Sequence, residues 1–163
     1  MKSRIGFIAL VIFSSATMAL AQTHIAGTAE CSAPEQVHVM RLSDQADHFF
    51  VMSQGKCQWT RPFDIAGTKT QSDLATVSKE VRGNRARVRG YVTETTASGD
   101  KFSYRILGEQ VIDHGKTVSE HGSWTIVSGT GKLEGIQGKG TYSGKLQGNN
   151  MVFELEGEWQ AGR

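Results

Sequence analysis

Three glutamates near the end of the chain are the first candidates for acid–base chemistry. Glu154, Glu156 and Glu158 alternate with apolar residues in the segment MVFELEGEW. In a strand, alternate side chains share one face and repeat about every 7 Å, which resembles the carboxyl separation of an inverting glycosidase. The residues between them are apolar and should face the core, so we expect these glutamates to point to solvent. They predict a charged outer stripe and no catalytic pair.

A run of glycines and lysines suggests a second chemistry, the binding of a phosphate group. The segment GTGKLEGIQGKGTY spans residues 129–142. A phosphate cradle needs its glycines between a strand and the N-terminus of a helix, but Glu134 stands where the third glycine belongs and the strand formers Thr141 and Tyr142 follow. We therefore interpret the segment as scaffold. We predict that Leu133 and Ile136 point inward and that the later glycines allow a bend or bulge.

Histidines and arginines offer two further kinds of site. No two of the five histidines have the spacing of a metal-binding pair, and only His48 and His121 are kept as candidates. Neither a metal site nor a cofactor is predicted, and no catalytic residue is assigned. The dense basic stretch is compatible with an anionic polysaccharide partner, but a solvated outer strand face is favoured. That stretch holds Arg82, Arg85, Arg87 and Arg89.

The first 21 residues have the pattern of a secretory signal peptide. Positive charges at Lys2 and Arg4 precede an apolar run, and Ala19-Leu20-Ala21 fits the small-residue cleavage site. The mature chain would begin at Gln22 and form one domain over residues 22–163, exported to the periplasm or the extracellular space. No later stretch is long and apolar enough for a transmembrane helix.

The net charge depends on this leader. The whole chain has 18 basic and 16 acidic residues. Two of the basic residues lie in the leader, so the mature chain is close to neutral. A nucleic-acid partner is therefore not predicted, and no sequence pattern indicates an oligomeric state.

Two cysteines, Cys31 and Cys57, are the only ones in the chain. An exported pair is expected to form a disulfide. In the chain-entropy treatment a loop of this size contributes ~3.5 kcal/mol. The spacing is not that of a redox or metal motif, so a structural bond is predicted.

Alternation of apolar and polar residues dominates the rest of the sequence. Turn sequences such as SGDK, DHGK and QGNN separate the alternating runs from about residue 74 to 160. Segments 48–52 and 55–59 also read as strands, and 71–80 favours a strand over a short helix. Consecutive antiparallel hairpins without a helical layer predict an all-β fold. We expect a single, roughly eight-stranded closed barrel, with a β-sandwich as the alternative.

The residues expected on the inner face of this barrel are apolar or aromatic. They either fill the core or line a cavity for a small apolar ligand. These candidates are Phe102, Tyr104, Ile106, Trp124, Ile126, Phe153, Leu155 and Trp159.

The stretch GSWTIVSGTGKLEGIQGKGTYSG resembles the glycine-rich pattern of allene oxide cyclase-like and dirigent-like β-barrels, which include small exported bacterial proteins of unknown role. The resemblance extends over roughly residues 85–145. It implies an eight-stranded antiparallel barrel with a central cavity. Leu133 and Ser128 depart from the pattern, and no position allows the catalytic residues of the plant enzymes to be transferred.

Three hypotheses for function follow. The leading hypothesis is an exported barrel that binds or shields an apolar small molecule, without catalysis. The second is a cyclase- or isomerase-like enzyme, which would need an ionisable group inside the barrel, although the inner face looks apolar. The third is a structural or envelope-interaction protein with a filled core.

Overall fold

The computed structural model describes residues 22–162, so the predicted signal peptide lies outside the described residues. Ten strands and one 3-10 turn, Gly131–Leu133, make up its regular structure. The strands are β1 Thr23–Cys31, β2 Gln36–Arg41, β3 His48–Arg61, β4 Asp64–Ile65, β5 Thr68–Arg82, β6 Arg85–Thr96, β7 Lys101–Asp113, β8 Lys116–Gly129, β9 Gln137–Gln147 and β10 Asn150–Gln160. Within residues 22–162 there is no helix with the length and apolar character required to cross a bilayer.

Eight of the strands close into an antiparallel ring. Strands β5 to β10 pair in chain order, β10 pairs with β1, β1 pairs with the second half of β3, and β3 pairs with β5. The β3–β5 pairing closes the sheet on itself. The predicted eight-stranded barrel is thereby confirmed, and the alternative of a sandwich is excluded.

The two remaining strands lie outside the ring. Strand β2 pairs with the first half of β3, from Gln36 opposite Gln54 to Arg41 opposite Phe49, and all six of its residues are exposed. Strand β4 is a two-residue pairing with the start of β5. The predicted strands 48–52 and 55–59 form one continuous strand, β3, and segment 71–80 is part of β5.

Alternation along the strands of the ring, clearest in β6, separates the inside of the barrel from its outer wall. In β6, Ala86, Val88 and Val92 are buried, whereas Arg85 and Arg87 are exposed. This is the predicted orientation. These arginines and the glutamates of β10 lie on separate parts of the wall, because β10 lies between β1 and β9. Strand β6 instead lies between β5 and β7.

One end of the barrel is closed by apolar side chains from two connections. Leu133 and Ile136 of the glycine-rich segment are buried, as predicted, and they belong to the same apolar cluster as Phe63 and Ile65. Because Ile65 and Leu133 are almost fully inaccessible to solvent, this end of the barrel forms a plug.

The glycines that follow the plug make room for a tryptophan. A Cβ atom at Gly140 would lie 2.6 Å from the ring of Trp124, and one at Gly157 would lie 2.5 Å from it. Strand β9 continues in regular register with both neighbours, so the predicted bulge is absent. The indole fills the space that two missing side chains leave, and its Nε1 donates to the Thr141 carbonyl oxygen at 3.1 Å.

A disulfide joins Cys31 of β1 to Cys57 of β3 across 26 residues of chain. The two cysteines are directly opposite each other in the β1–β3 pairing, which comprises only four residue pairs. The predicted disulfide is confirmed, and it reinforces the shortest pairing in the ring.

Candidate functional site

A cavity of about 650 Å³ occupies the barrel interior at the end opposite the plug. Three chain segments surround its mouth: residues 32–34 after β1, the β7–β8 turn at 115–117 and the β9–β10 turn at 148–149. Its walls are largely aliphatic and aromatic. They include Val77, Val88, Ile106, Phe153 and Leu155.

Two carboxyl groups face inward at the deep end of this cavity. Asp73 of β5 lies directly opposite Glu94 of β6 in the strand pairing, so their Cβ atoms are roughly 5 Å apart. Asp73 lines the cavity, whereas Glu94 is 0 % exposed and does not. The pair forms the only buried carboxyl dyad among residues 22–162 in which the two acids are cross-strand partners.

Hydrogen bonds fix both carboxyl groups. Glu94 accepts from the Trp59 Nε1–H at 2.8 Å and from the Tyr104 hydroxyl at 3.1 Å. Asp73 Oδ1 accepts from the backbone N–H of Cys57 at 3.2 Å. The dyad is therefore built from four strands of the ring.

Burial shifts both acids toward their neutral forms. Removal from water raises the pKa of Asp73 to about 6. It also raises the pKa of Glu94 well above its usual range, and the nearby Asp73 raises it further. Two neighbouring carboxyl groups disfavour double ionisation in this way. The pair therefore keeps its protons to higher pH than ordinary carboxyl groups do, and below about pH 6 Asp73 is mainly the neutral acid, which can both donate and accept a hydrogen bond.

A second polar cluster lies nearer the mouth. The buried Glu120 of β8 accepts from Gln110 Nε2 at 2.6 Å and from the Tyr142 hydroxyl at 2.8 Å. Thr117 Oγ1 donates to Gln110 Oε1 at 3.1 Å. Burial, and then the charge of Glu120, raises the pKa of Tyr142, so the phenol stays protonated. Lys79 of β5 also lines the cavity.

The interior is thus more polar than the sequence analysis predicted, and that expectation was wrong. The missing signal was the position of these residues in the strand alternation, because residues an even number of places from an inward-facing residue also face inward. Continuing the inward alternation from Val88 and Val92 reaches Glu94, and continuing it from Tyr104 and Ile106 reaches Gln110. The apolar residues identified the inward face of each strand correctly. The polar residues at alternating positions of the same strands also lie on that inward face.

The eight residues predicted to line a cavity fall into three groups. Tyr104, Ile106, Phe153 and Leu155 line it. Phe102, Trp124 and Ile126 are buried in the apolar cluster and are not part of the cavity wall. Trp159 borders a separate groove with Ile126 and Gly138, and its indole N–H is buried without a hydrogen-bond partner among the described residues.

The two histidines kept as candidates are outside the cavity. His48 is buried, with Nδ1 2.6 Å from Asp44 and Nε2 3.1 Å from Glu80. His121 lies on the outer wall beside Arg87 and Glu109. Over residues 22–162, no three His, Cys, Asp or Glu side chains group closely enough to hold a metal ion.

Fold and interior together define a small antiparallel barrel with a cavity open at one end. Among solved structures, the chain is similar to a pterocarpan synthase dirigent protein, with a TM-score of 0.50, 11% identity, and coverage of 93% of this chain and 98% of that one. It is also similar to a conserved protein of unknown function from Rhodopseudomonas palustris, with a TM-score of 0.52, 10% identity, and coverage of 87% and 99%. No protein-family model and no curated protein matches the sequence. The resemblance stated from the glycine-rich segment is confirmed at the level of the fold.

Proposed function

We propose that the barrel binds a small molecule with an apolar body in its interior. The observation that carries this proposal is the cavity of about 650 Å³, which lies within the size range of small-molecule sites. Its wall is mainly apolar, with a few polar groups. The structural or envelope hypothesis depended on a filled core, whereas the interior contains this cavity.

The polar groups favour a ligand that also carries a hydrogen-bonding function. Asp73 faces the cavity at its deep end, and one of its oxygens is engaged by the Cys57 N–H. A buried acid without a full set of partners is costly, so a ligand hydroxyl, carbonyl or ether at this position would be favoured. The ligand would then lie with its polar end inward and its apolar body against Val88 and Phe153.

A cavity-filling variant tests this proposal. Ala75 lines the cavity and Thr76, the next residue, is exposed on the same strand. Ala75→Trp should weaken binding of the neutral fluorophore N-phenyl-1-naphthylamine by at least about tenfold, because the indole would occupy the site, a loss of about 1.4 kcal/mol. Thr76→Trp is the matched control and should bind like the wild type. Equal binding by both variants would place the fluorophore elsewhere and count against an interior site.

A second candidate function is acid–base catalysis of an isomerisation or cyclisation, and the carboxyl dyad favours it. An acid with a pKa near the working pH is well matched to proton transfer, and the pKa of Asp73 is raised to about 6. The similar fold of a pterocarpan synthase dirigent protein supports this candidate by analogy alone. Carboxyl-selective ¹³C NMR should show Asp73 titrating near pH 6, and titration near its ordinary value would remove the basis for an acid catalyst.

We also propose that the protein is exported. The disulfide between Cys31 and Cys57 is compatible with an oxidising compartment, and the leader pattern of residues 1–21 supports the same conclusion. Intact-mass measurement of the protein from the host periplasm or medium should give a chain starting at Gln22. A full-length chain confined to the cytoplasm would contradict export.

A further inference from the structure

Lys79 is the one lysine on the inner face of β5, and its partners on the two adjacent strands are apolar. It lies opposite Val51 of β3 and opposite Val88 of β6 in the strand pairings. Val77 precedes it by two residues on the same face, and both Val77 and Lys79 line the cavity. The amine is thus carried by a rigid strand into the space where a ligand would lie.

Among the described residues, this amine has no hydrogen-bond partner, and Glu120 is the only charge that acts on it appreciably. The Glu120 oxygens already accept from Gln110 and Tyr142. Burial lowers the pKa of Lys79, and Glu120 offsets part of this effect. A larger share of Lys79 than of a surface lysine is therefore the neutral, nucleophilic amine.

Two ligand chemistries suit an unpaired amine, an anionic head group and a carbonyl group. An anion beside Lys79 would also approach the carboxylate of Glu120, which repels it. A neutral carbonyl avoids that repulsion, and amines in apolar pockets are the ones that form imines. The arrangement therefore favours a carbonyl.

We propose that Lys79 captures an aldehyde or ketone ligand in the barrel as a covalent imine. The inference rests on the proposed binding function and names the class of ligand. The lone pair of Nζ attacks the carbonyl carbon, and the carbonyl oxygen takes up a proton to give a carbinolamine. Formation of the C=N bond then expels that oxygen as water, with both protons supplied in total by the amine nitrogen. No electrons are gained or lost overall.

The neighbouring polar cluster has a place in this step. Glu120, held by Gln110 and Tyr142, is near enough to act on the Lys79 amine through its charge, and within this proposal it carries a proton from the nitrogen to the leaving oxygen. Glu120 would act as the proton carrier while the aliphatic wall limits the water available for hydrolysis of the imine.

Reductive trapping tests the proposal on the intact protein. We expect 2-naphthaldehyde with cyanoborohydride, at about pH 7, to add one naphthylmethyl group per chain at Lys79, with labelling at least about tenfold faster than at Lys132, which is exposed outside the cavity. Peptide mapping by mass spectrometry gives both rates in one wild-type sample, so the comparison does not depend on the folding of a variant. Lys79→Met should abolish the fast labelling, and Lys132→Met, outside the cavity, should leave it unchanged.

A matched alcohol separates this inference from the binding proposal. If 2-naphthylmethanol displaces the fluorophore but the aldehyde labels Lys79 no faster than Lys132, imine capture is overturned and interior binding stands. If neither compound enters the cavity, both proposals fail. Binding of 2-naphthoate that is lost in Lys79→Met, without aldehyde trapping, would identify an ion-pairing lysine and also overturn imine capture.

Discussion

At the scale of single residues, Asp73 links stability to pH. Its folded-state pKa of about 6 lies above the ordinary value of 3.8, so folding favours the protonated form. The stabilisation associated with the proton is fully present below pH 3.8 and is lost as the pH rises to about 6. Above that, ionised Asp73 costs the fold about 3 kcal/mol relative to a neutral group.

Asp73→Asn should therefore stabilise the protein selectively at higher pH. Asparagine retains an oxygen to accept from the Cys57 N–H and cannot ionise. Urea unfolding should show little difference from the wild type near pH 4 and a gain of roughly 1–3 kcal/mol near pH 7.5. The exposed Asp113→Asn provides the control and should show no such pH-dependent gain. A constant difference for Asp73→Asn at both pH values would contradict the raised pKa.

Gly140 is the residue at which close packing matters most clearly. Its Cβ position would meet the Glu156 backbone oxygen of β10 and lie 2.6 Å from the Trp124 ring, so Gly140→Ala should force the β9 and β10 backbones apart and move the indole. We expect a loss of about 3 kcal/mol in the free energy of unfolding, of the size that overpacking produces.

Gly148→Ala is the comparison for that variant. Gly148 has a φ of +61° and no atom within 4 Å of its Cβ position, so only backbone strain of about 1–2 kcal/mol applies. Thermal unfolding of the two variants should place Gly140→Ala lower. The reverse order would mean that Trp124 has room to adjust.

At the scale of elements, the glycine-rich connection is what closes the barrel. Leu133→Ala should destabilise the fold by about 2–5 kcal/mol, because the removed atoms leave a cavity within the plug. Lys132 is adjacent and exposed, so Lys132→Ala should change the stability little. Denaturant unfolding measures both, and equal effects would show that the plug contributes no more than the exposed part of the same turn.

The pairing of β1 with β3 is the shortest strand pairing in the ring. It comprises four residue pairs and includes the disulfide. The double variant Cys31→Ser/Cys57→Ser should lose about 3.5 kcal/mol on the chain-entropy treatment. Urea unfolding under non-reducing conditions measures this loss, and the wild type treated with a thiol reductant should show a similar one. A double variant as stable as the oxidised wild type would mean that the β1–β3 pairing holds without the disulfide.

At the scale of the whole molecule, alternation in the sequence predicted the barrel because strands such as β6 and β7 alternate buried and exposed residues along most of their length. The turns between them were visible as well, for example at Gly99 and Gly115, which have positive φ. Ring closure through β3 and β5 depends on contacts between distant strands, which no local pattern encodes. For the same reason the outward β2 was not anticipated.

The site was predicted less completely than the fold. Tyr104, Ile106, Phe153 and Leu155 line the cavity, as a rule based on apolar alternation would select them. Asp73, Glu94 and Glu120 were missed because a charged residue in a strand is ordinarily assigned to the outer face. Their burial is stabilised by specific donors, such as Trp59 for Glu94, that lie on other strands.

The plug at Ile65 and Leu133 closes one end of the barrel, so the cavity opens only at the other end. Under the binding proposal, a ligand that enters between the turns at 115–117 and 148–149 leaves by the same route. A long ligand cannot turn around inside the cavity. The end of the ligand that enters first is then the end that reaches Asp73. The orientation of the ligand is therefore decided at the mouth of the cavity, before any contact with the carboxyl group of Asp73.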